Sequence, residues 1–123
     1  MRFIVRQPIV PRLGYDPTMP ANEDALTLPG YQKKHLRGLA HRLEPVVQVG
    51  HAGVSDAVVD QTDQSLTAHE LIKVRLHEPD DKKGMAAELA RRTGSALCGL
   101  VGHTVILYRP HPDDPVIELP QRD

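Results

Sequence analysis

The chain has 123 residues, 40% of them hydrophobic and 25% charged, with a formal net charge of −1. That is the length of one domain, since compact domains most often run to roughly 100–150 residues, and the balance of a soluble globular one. Its single cysteine, Cys98, excludes an internal disulfide and a multi-cysteine zinc site, and no apolar run reaches the roughly 20 residues of a membrane-spanning helix.

The opening MRFIVRQPIVPRLG has no apolar core of signal-peptide length, because Arg6, Pro8, Pro11 and Arg12 interrupt it. A cytoplasmic monomer without membrane contact is expected. Residues 1–26 hold Pro8, Pro11, Pro17 and Pro20 and no sustained period, which reads as a flexible tail. Met19 precedes PANEDALTLPG, a natural start, so residues 1–18 read equally as tail or as extraneous sequence. Only Phe3, Tyr15, Tyr31 and Tyr108 are aromatic, so an aliphatic core is expected.

From Thr27, a candidate helix cap with Pro29 in the first turn, the pattern becomes regular. Leu36, Leu39, Ala40 and Leu43 form one apolar helical stripe, while Lys33, Arg37 and His41 step by four along another face beside Lys34. Pro45 ends this helix, and Val46–Val49 reads as a buried strand leading into the tight loop Gly50-His51-Ala52-Gly53. Ser55 caps a second helix, with Val58, Thr62 and Leu66 inward and Asp56, Asp60 and Asp63 outward. Leu71–Leu76 alternates as a strand, with Lys73 and Arg75 on its polar side. Pro79-Asp80-Asp81 opens a third helix with Met85, Ala86, Leu89 and Ala90 as its apolar stripe, and Gly94 stands at its C-cap. Ala96–Val101 and Thr104–Arg109 are strands joined by Gly102-His103, a pair suited to a type II′ turn. Pro110, Pro112, Pro115 and Pro120 then mark residues 111–123 as a proline-rich tail along the surface. The order α-β-α-β-α-β-β predicts an α/β fold with a four-stranded mixed sheet. Two βαβ units would pair in parallel with right-handed crossovers, and the hairpin would add an antiparallel strand.

Charge is segregated along this order. Residues 31–53 carry Lys33, Lys34, Arg37 and Arg42 against Glu44 alone, whereas residues 54–72 carry Asp56, Asp60, Asp63 and Glu70 and no Lys or Arg. Local charge, not the sum over the chain, sets the field a partner meets. Seven histidines add positive charge where pH or a nearby phosphate favours protonation.

The most specific local feature is strand–GHAG–helix. Two glycines three apart let backbone approach a ligand closely, and the next helix points its free N–H groups at the same place. Neither a phosphate-binding P-loop nor a three-glycine dinucleotide fingerprint is present; the form is that of a GXXG loop clamping a nucleic-acid backbone. Taken alone, GXXG reads first as a plain tight turn, and the basic stripe first as a solvated face. His111-Pro-Asp-Asp114 is similar to a zinc motif of sugar N-deacetylases, which would make His111 and Asp114 ligands. Pro115 stands where that family has Glu, however, and no spacing nominates a third ligand. Cys98, inside an apolar strand, reads as an inert core thiol. No catalytic set, metal site or cofactor site emerges.

Several segments together, KKHLRGLAHRLEPVVQVGHAGVSDAVV, HELIKVRL and ARRTGSALCGLVGHTVILYRP, closely resemble the CRM domain, or YhbY-type RNA-binding domain, over about residues 28–110. The resemblance implies a fold similar to the C-terminal domain of bacterial translation initiation factor three, bounded here at residues 27–110. It also implies RNA binding without catalysis, and for a bacterial stand-alone member a role in assembling the large ribosomal subunit on its precursor RNA. By position it assigns Gly50, His51, Ala52 and Gly53 as the RNA loop, flanked by Lys33, Lys34, Arg37 and Lys73. To these the residue pattern adds His41, Arg75 and Arg109. Many members carry Lys or Arg within the loop, whereas this chain has His51 and Ala52, which points to a weaker or pH-sensitive loop. The alternative is a protein-interaction module whose acidic face (Asp56, Asp60, Asp63) meets a basic ribosomal protein. A metal hydrolase is a distant third reading.

Overall fold

A computed structural model describes residues 25–121; the expectations for residues 1–24 lie outside the described residues. These contain α1 (Gly30–Ala40), β1 (Pro45–Val49), α2 (Asp56–His69), β2 (Leu71–Leu76), α3 (Lys82–Thr93), β3 (Ala96–Val101) and β4 (Thr104–Tyr108). The strands form one mixed sheet in the order β1-β2-β4-β3. β1 and β2 pair in parallel, and β4 pairs antiparallel with both β2 and β3.

The α/β class and element order agree with the sequence reading, but the second βαβ unit does not close as a neighbouring pair. β4 inserts between β2 and β3. Its run Val105–Tyr108 is buried throughout, so both of its faces need cover and the strand belongs inside the sheet. Gly102 at φ 59° makes the two-residue turn that holds β3 alongside.

Local signals fix most element ends. The Ser55 hydroxyl accepts from Val58 N–H and Asp81 from Gly84 N–H, while Gly94 ends α3 in the left-handed conformation (φ 66°). The Thr27 cap is not used: Pro29 is the N-cap of α1, with no side-chain cap bond. Leu36 and Ala40 are fully buried, but Leu39 and Leu43 are 45% and 37% exposed, so the apolar stripe of α1 is narrower than its sequence suggests. β1 is an edge strand that buries only Val47 and Val49; Val46 is exposed.

The sheet has two apolar faces. Val47, Val49, Ile72, Val74, Leu76, Val105 and Leu107 meet α2 and α3 through Leu66, Ala86, Leu89 and Ala90. On the other face Leu71, Ala96, Cys98, Ile106 and Tyr108 meet Leu36 and Ala40 of α1. Each large apolar side chain buried this way contributes roughly 1.5–3 kcal/mol. Leu26, counted in the tail by the sequence reading, packs on the α1 cluster, and its N–H donates to the Ser95 carbonyl at 3.1 Å.

The proline-rich end forms a strap over the α1 face. Ile117 and Leu119 pack on the cluster, and Gln32 Nε2 donates to the Pro120 carbonyl at 3.0 Å. Glu70, 4% exposed and at φ 66°, holds the strap: its carboxylate accepts from the backbone N–H of His111, Val116 and Ile117. Burial alone would raise this carboxyl group's pKa, but those backbone bonds and the nearby His111 outweigh it and hold the group below its ordinary value.

Candidate nucleic-acid interface

α1 covers only part of its sheet face. Gln48, Arg75, Thr104 and Val101 lie opposite one another across the four strands. One step back, Lys73 faces Ile106, which faces Gly99. Arg37 closes this row from α1. Its stem lies on Gly99, where a Cβ would come 2.7 Å from Arg37 Cδ, and its Nη1 donates to the Cys98 carbonyl at 2.8 Å. Glycine here permits a close approach of helix to strand. Lys73 Nζ lies 3.5 Å from the His41 carbonyl at the C-cap of α1. Arg37, Lys73 and Arg75 therefore border one open shelf, with Lys33 one turn before Arg37 on α1 and Lys34 exposed on the helix beside it.

The glycine loop lies at one end of this shelf. β1 and β2 run in parallel, so both finish there: His77 N–H donates to the Val49 carbonyl, and Leu76 N–H to the His103 carbonyl of the hairpin turn. Within the loop Gly53 N–H donates to the Gly50 carbonyl at 3.0 Å. Among the described residues, the N–H groups of His51 and Ala52 have no protein acceptor. The two glycines differ in what the fold asks of them. Gly53 sits at φ 72°, where an L side chain is strained. Gly50 is not in that region, and a Cβ there would meet nothing within 4 Å. Neither space nor a left-handed φ therefore requires glycine at position 50.

Arg109 does not belong to this surface, which corrects its assignment from the sequence. Its side chain is 13% exposed under α2: Nη1 donates to Asp63 Oδ1 at 2.5 Å and to the Thr93 carbonyl at 2.7 Å, and Nη2 to the Asp63 carbonyl and Thr67 Oγ1 at 2.9 Å each. It locks β4 to α2. The same contacts bear on the acidic face of α2, because Asp63 is bound to Arg109 and Asp56 to Arg92 at 2.7 Å. That leaves Asp60 as the exposed carboxylate of the set without such a bridge. His111 Nδ1 accepts from the backbone N–H of both Asp113 and Asp114 at 3.1 Å, so the zinc-like motif builds a turn. Among the described residues no group of three or more His, Cys, Asp or Glu is placed to hold a metal ion. Cys98 is buried, and burial pushes its thiol up to about 11 against the lowering fields of Lys33 and Arg37.

The sequence pattern of the CRS1 / YhbY (CRM) domain matches residues 28–109, which span all seven elements and stop before the strap. The chain belongs to the CRM family. It is 40% identical over 95 residues to the Bacillus subtilis protein named probable RNA-binding protein YqeI, covering 76% of this chain and 99% of that one. A protein of Haemophilus influenzae named RNA-binding protein is 38% identical over 98 residues, covering 78% and 98%. The solution structure of SAV1595 from Staphylococcus aureus has a TM-score of 0.68 at 38% identity, covering 76% of this chain and all of that one.

Beyond the CRM residues assigned from sequence, the fold brings His77, His103 and Gln48 to the same end of the sheet. His77 continues the Lys73–Arg75 alternation of β2, and its Nε2 is hydrogen-bonded to Gln48 Oε1. That alternation is the signal in the sequence, although β2 itself ends at Leu76 as its pattern predicts.

Proposed function

We propose that this CRM domain binds RNA on the α1 side of its sheet, without catalysis, and serves as an assembly factor on precursor RNA of the large ribosomal subunit. The observation that carries the reading is the continuity of the Lys33–Arg37–Lys73–Arg75 shelf with the Gly50–Gly53 loop. Phosphate oxygens suit both: cations displace the RNA's counterions, and the His51 and Ala52 N–H groups with the α2 N-terminus receive oxygens at close range. Such contacts fix the path of a nucleic-acid backbone without reading its sequence. The names of the relatives support RNA as the partner. The ribosomal role rests on the family resemblance.

Gly50→Ala is the discriminating variant. The added methyl meets open space in the fold, so thermal stability should hold or rise slightly. Affinity for a ribosomal RNA fragment should fall about tenfold, on the order of 1.4 kcal/mol. Full affinity in the variant would reduce the loop to a turn. Crosslinking in cells followed by mapping of the joined RNA tests the finer reading: crosslinks should concentrate in large-subunit precursor RNA, and a scatter over unrelated transcripts would refute it.

A further inference from the structure

Three histidines from three separate connections lie at the loop end of the shelf. His51 comes from the β1–α2 loop, His77 from the end of β2 and His103 from the β3–β4 turn, and all three are exposed. The backbone bonds from His77 to Val49 and from Leu76 to His103 bring those connections together. Two of the rings have an edge turned toward protein groups: His77 Nε2 bonds Gln48 Oε1, and His51 Nε2 lies 3.8 Å from Glu78 Oε1. The His51 side chain is 88% exposed. Val101, 64% exposed, ends β3 beside the same turn.

The β2–α3 connection carries Glu78, Asp80 and Asp81 on the far side of this end, and Lys82 Nζ donates to the Gly102 carbonyl at 3.1 Å. Exposed planar rings with an apolar neighbour suit nucleobases, while the loop amides beside them suit the backbone. Bases become available for stacking on histidine only when they are unpaired. Among the described residues the phenyl-type rings are Tyr108, buried in the core, and Tyr31 on α1, so stacking at this end falls to the imidazoles.

We propose that His51, His77 and His103 form a base-stacking platform, and that the RNA bound is therefore a single-stranded or loop segment and not a continuous duplex. The proposal rests on the RNA-binding reading above and names the substrate class of that site. Three RNAs of equal length test it by fluorescence anisotropy: an unstructured strand, a hairpin with a large loop and a blunt duplex. The parent should prefer the first two by about tenfold or more, since only unpaired bases can stack on the rings. The combined variant His51→Ala, His77→Ala, His103→Ala should lose that preference, its affinities for strand and hairpin falling to the level of its affinity for duplex. The combined His51→Phe, His77→Phe, His103→Phe variant should keep it, because a phenyl ring stacks without ring nitrogens. All six changes are at exposed positions, and thermal melts of both variants confirm folding. Equal binding of strand and duplex by the parent, or a Phe variant that falls as far as the Ala variant, would overturn the platform and leave RNA binding standing. A parent that bound none of the three RNAs would overturn the RNA-binding reading itself.

Discussion

Glu70→Gln tests how the strap is held. In the parent, Glu70 Oε2 accepts from His111 N–H at 2.8 Å, Oε1 from Ile117 N–H at 2.9 Å, and both oxygens lie near Val116 N–H at 3.1 and 3.0 Å. Glutamine keeps the shape and the φ of 66° but replaces one oxygen by a donor, so either His111 or Ile117 N–H must face an NH2 group. A buried donor left without an acceptor costs about 1–3 kcal/mol, and bonds to a charged acceptor lie toward the upper end. A loss of about 2 kcal/mol raises the open fraction of the strap roughly thirtyfold, because 1.4 kcal/mol is tenfold. Amide hydrogen exchange at Val116 and Ile117 should therefore speed up about thirtyfold, with little change at the central strand amides of Val74 and Leu107. The pH dependence has a fixed sign. The folded-state pKa of Glu70 is lowered from 4.5, so its contribution is complete above that value and is lost as pH falls through the lowered one. Parent and variant should then converge in acid, as far as global unfolding permits. Equal protection of Val116 and Ile117 at neutral pH would refute the clamp.

Three further outcomes follow from the geometry. Arg109→Met removes four bonds of a mostly buried guanidinium and should cost about 3–5 kcal/mol in chemical denaturation, while RNA affinity measured below the melting transition stays at the parent value. Ala52→Asp places a carboxylate beside the unpartnered loop amides near the α2 N-terminus; it should leave stability unchanged and weaken RNA binding about tenfold, whereas Ala52→Lys should tighten it. Cys98, with its thiol pushed up to about 11 by burial, should resist iodoacetamide at pH 8 in the folded protein and react fully on unfolding, as followed by mass spectrometry.

What the sequence made legible was local. Ser55, Asp81 and Gly94 cap where their chemistry predicts, and the Lys73–Arg75 alternation correctly opposes the buried Ile72, Val74 and Leu76. The neighbour relation of β2 and β4 was not legible, because pairing order depends on which strand must be covered on both faces. Edge exposure of Val46 and the 45% exposure of Leu39 follow from that same order, and no window of sequence contains it. At the candidate site, Lys33, Lys34, Arg37, Lys73 and the glycine loop could be named from pattern and resemblance. Arg109 could not be told from an RNA contact, since its partners Asp63, Thr67 and Thr93 lie 46, 42 and 16 residues away. His77 and His103 gain meaning only when the sheet brings three connections to one end.

The central claim, that phosphates lie along the shelf, is tested most directly by the salt dependence of RNA affinity. If Lys33, Lys34, Arg37, Lys73 and Arg75 each meet a phosphate of a single strand, log K should fall with log salt at a slope of about −3.5, near 0.7 for each contact. Lys73→Ala should flatten that slope by about 0.7 and weaken binding to every RNA alike, with the melting temperature unchanged. A slope near zero in the parent, or one that Lys73→Ala leaves untouched, would contradict the account and move the interface off the sheet.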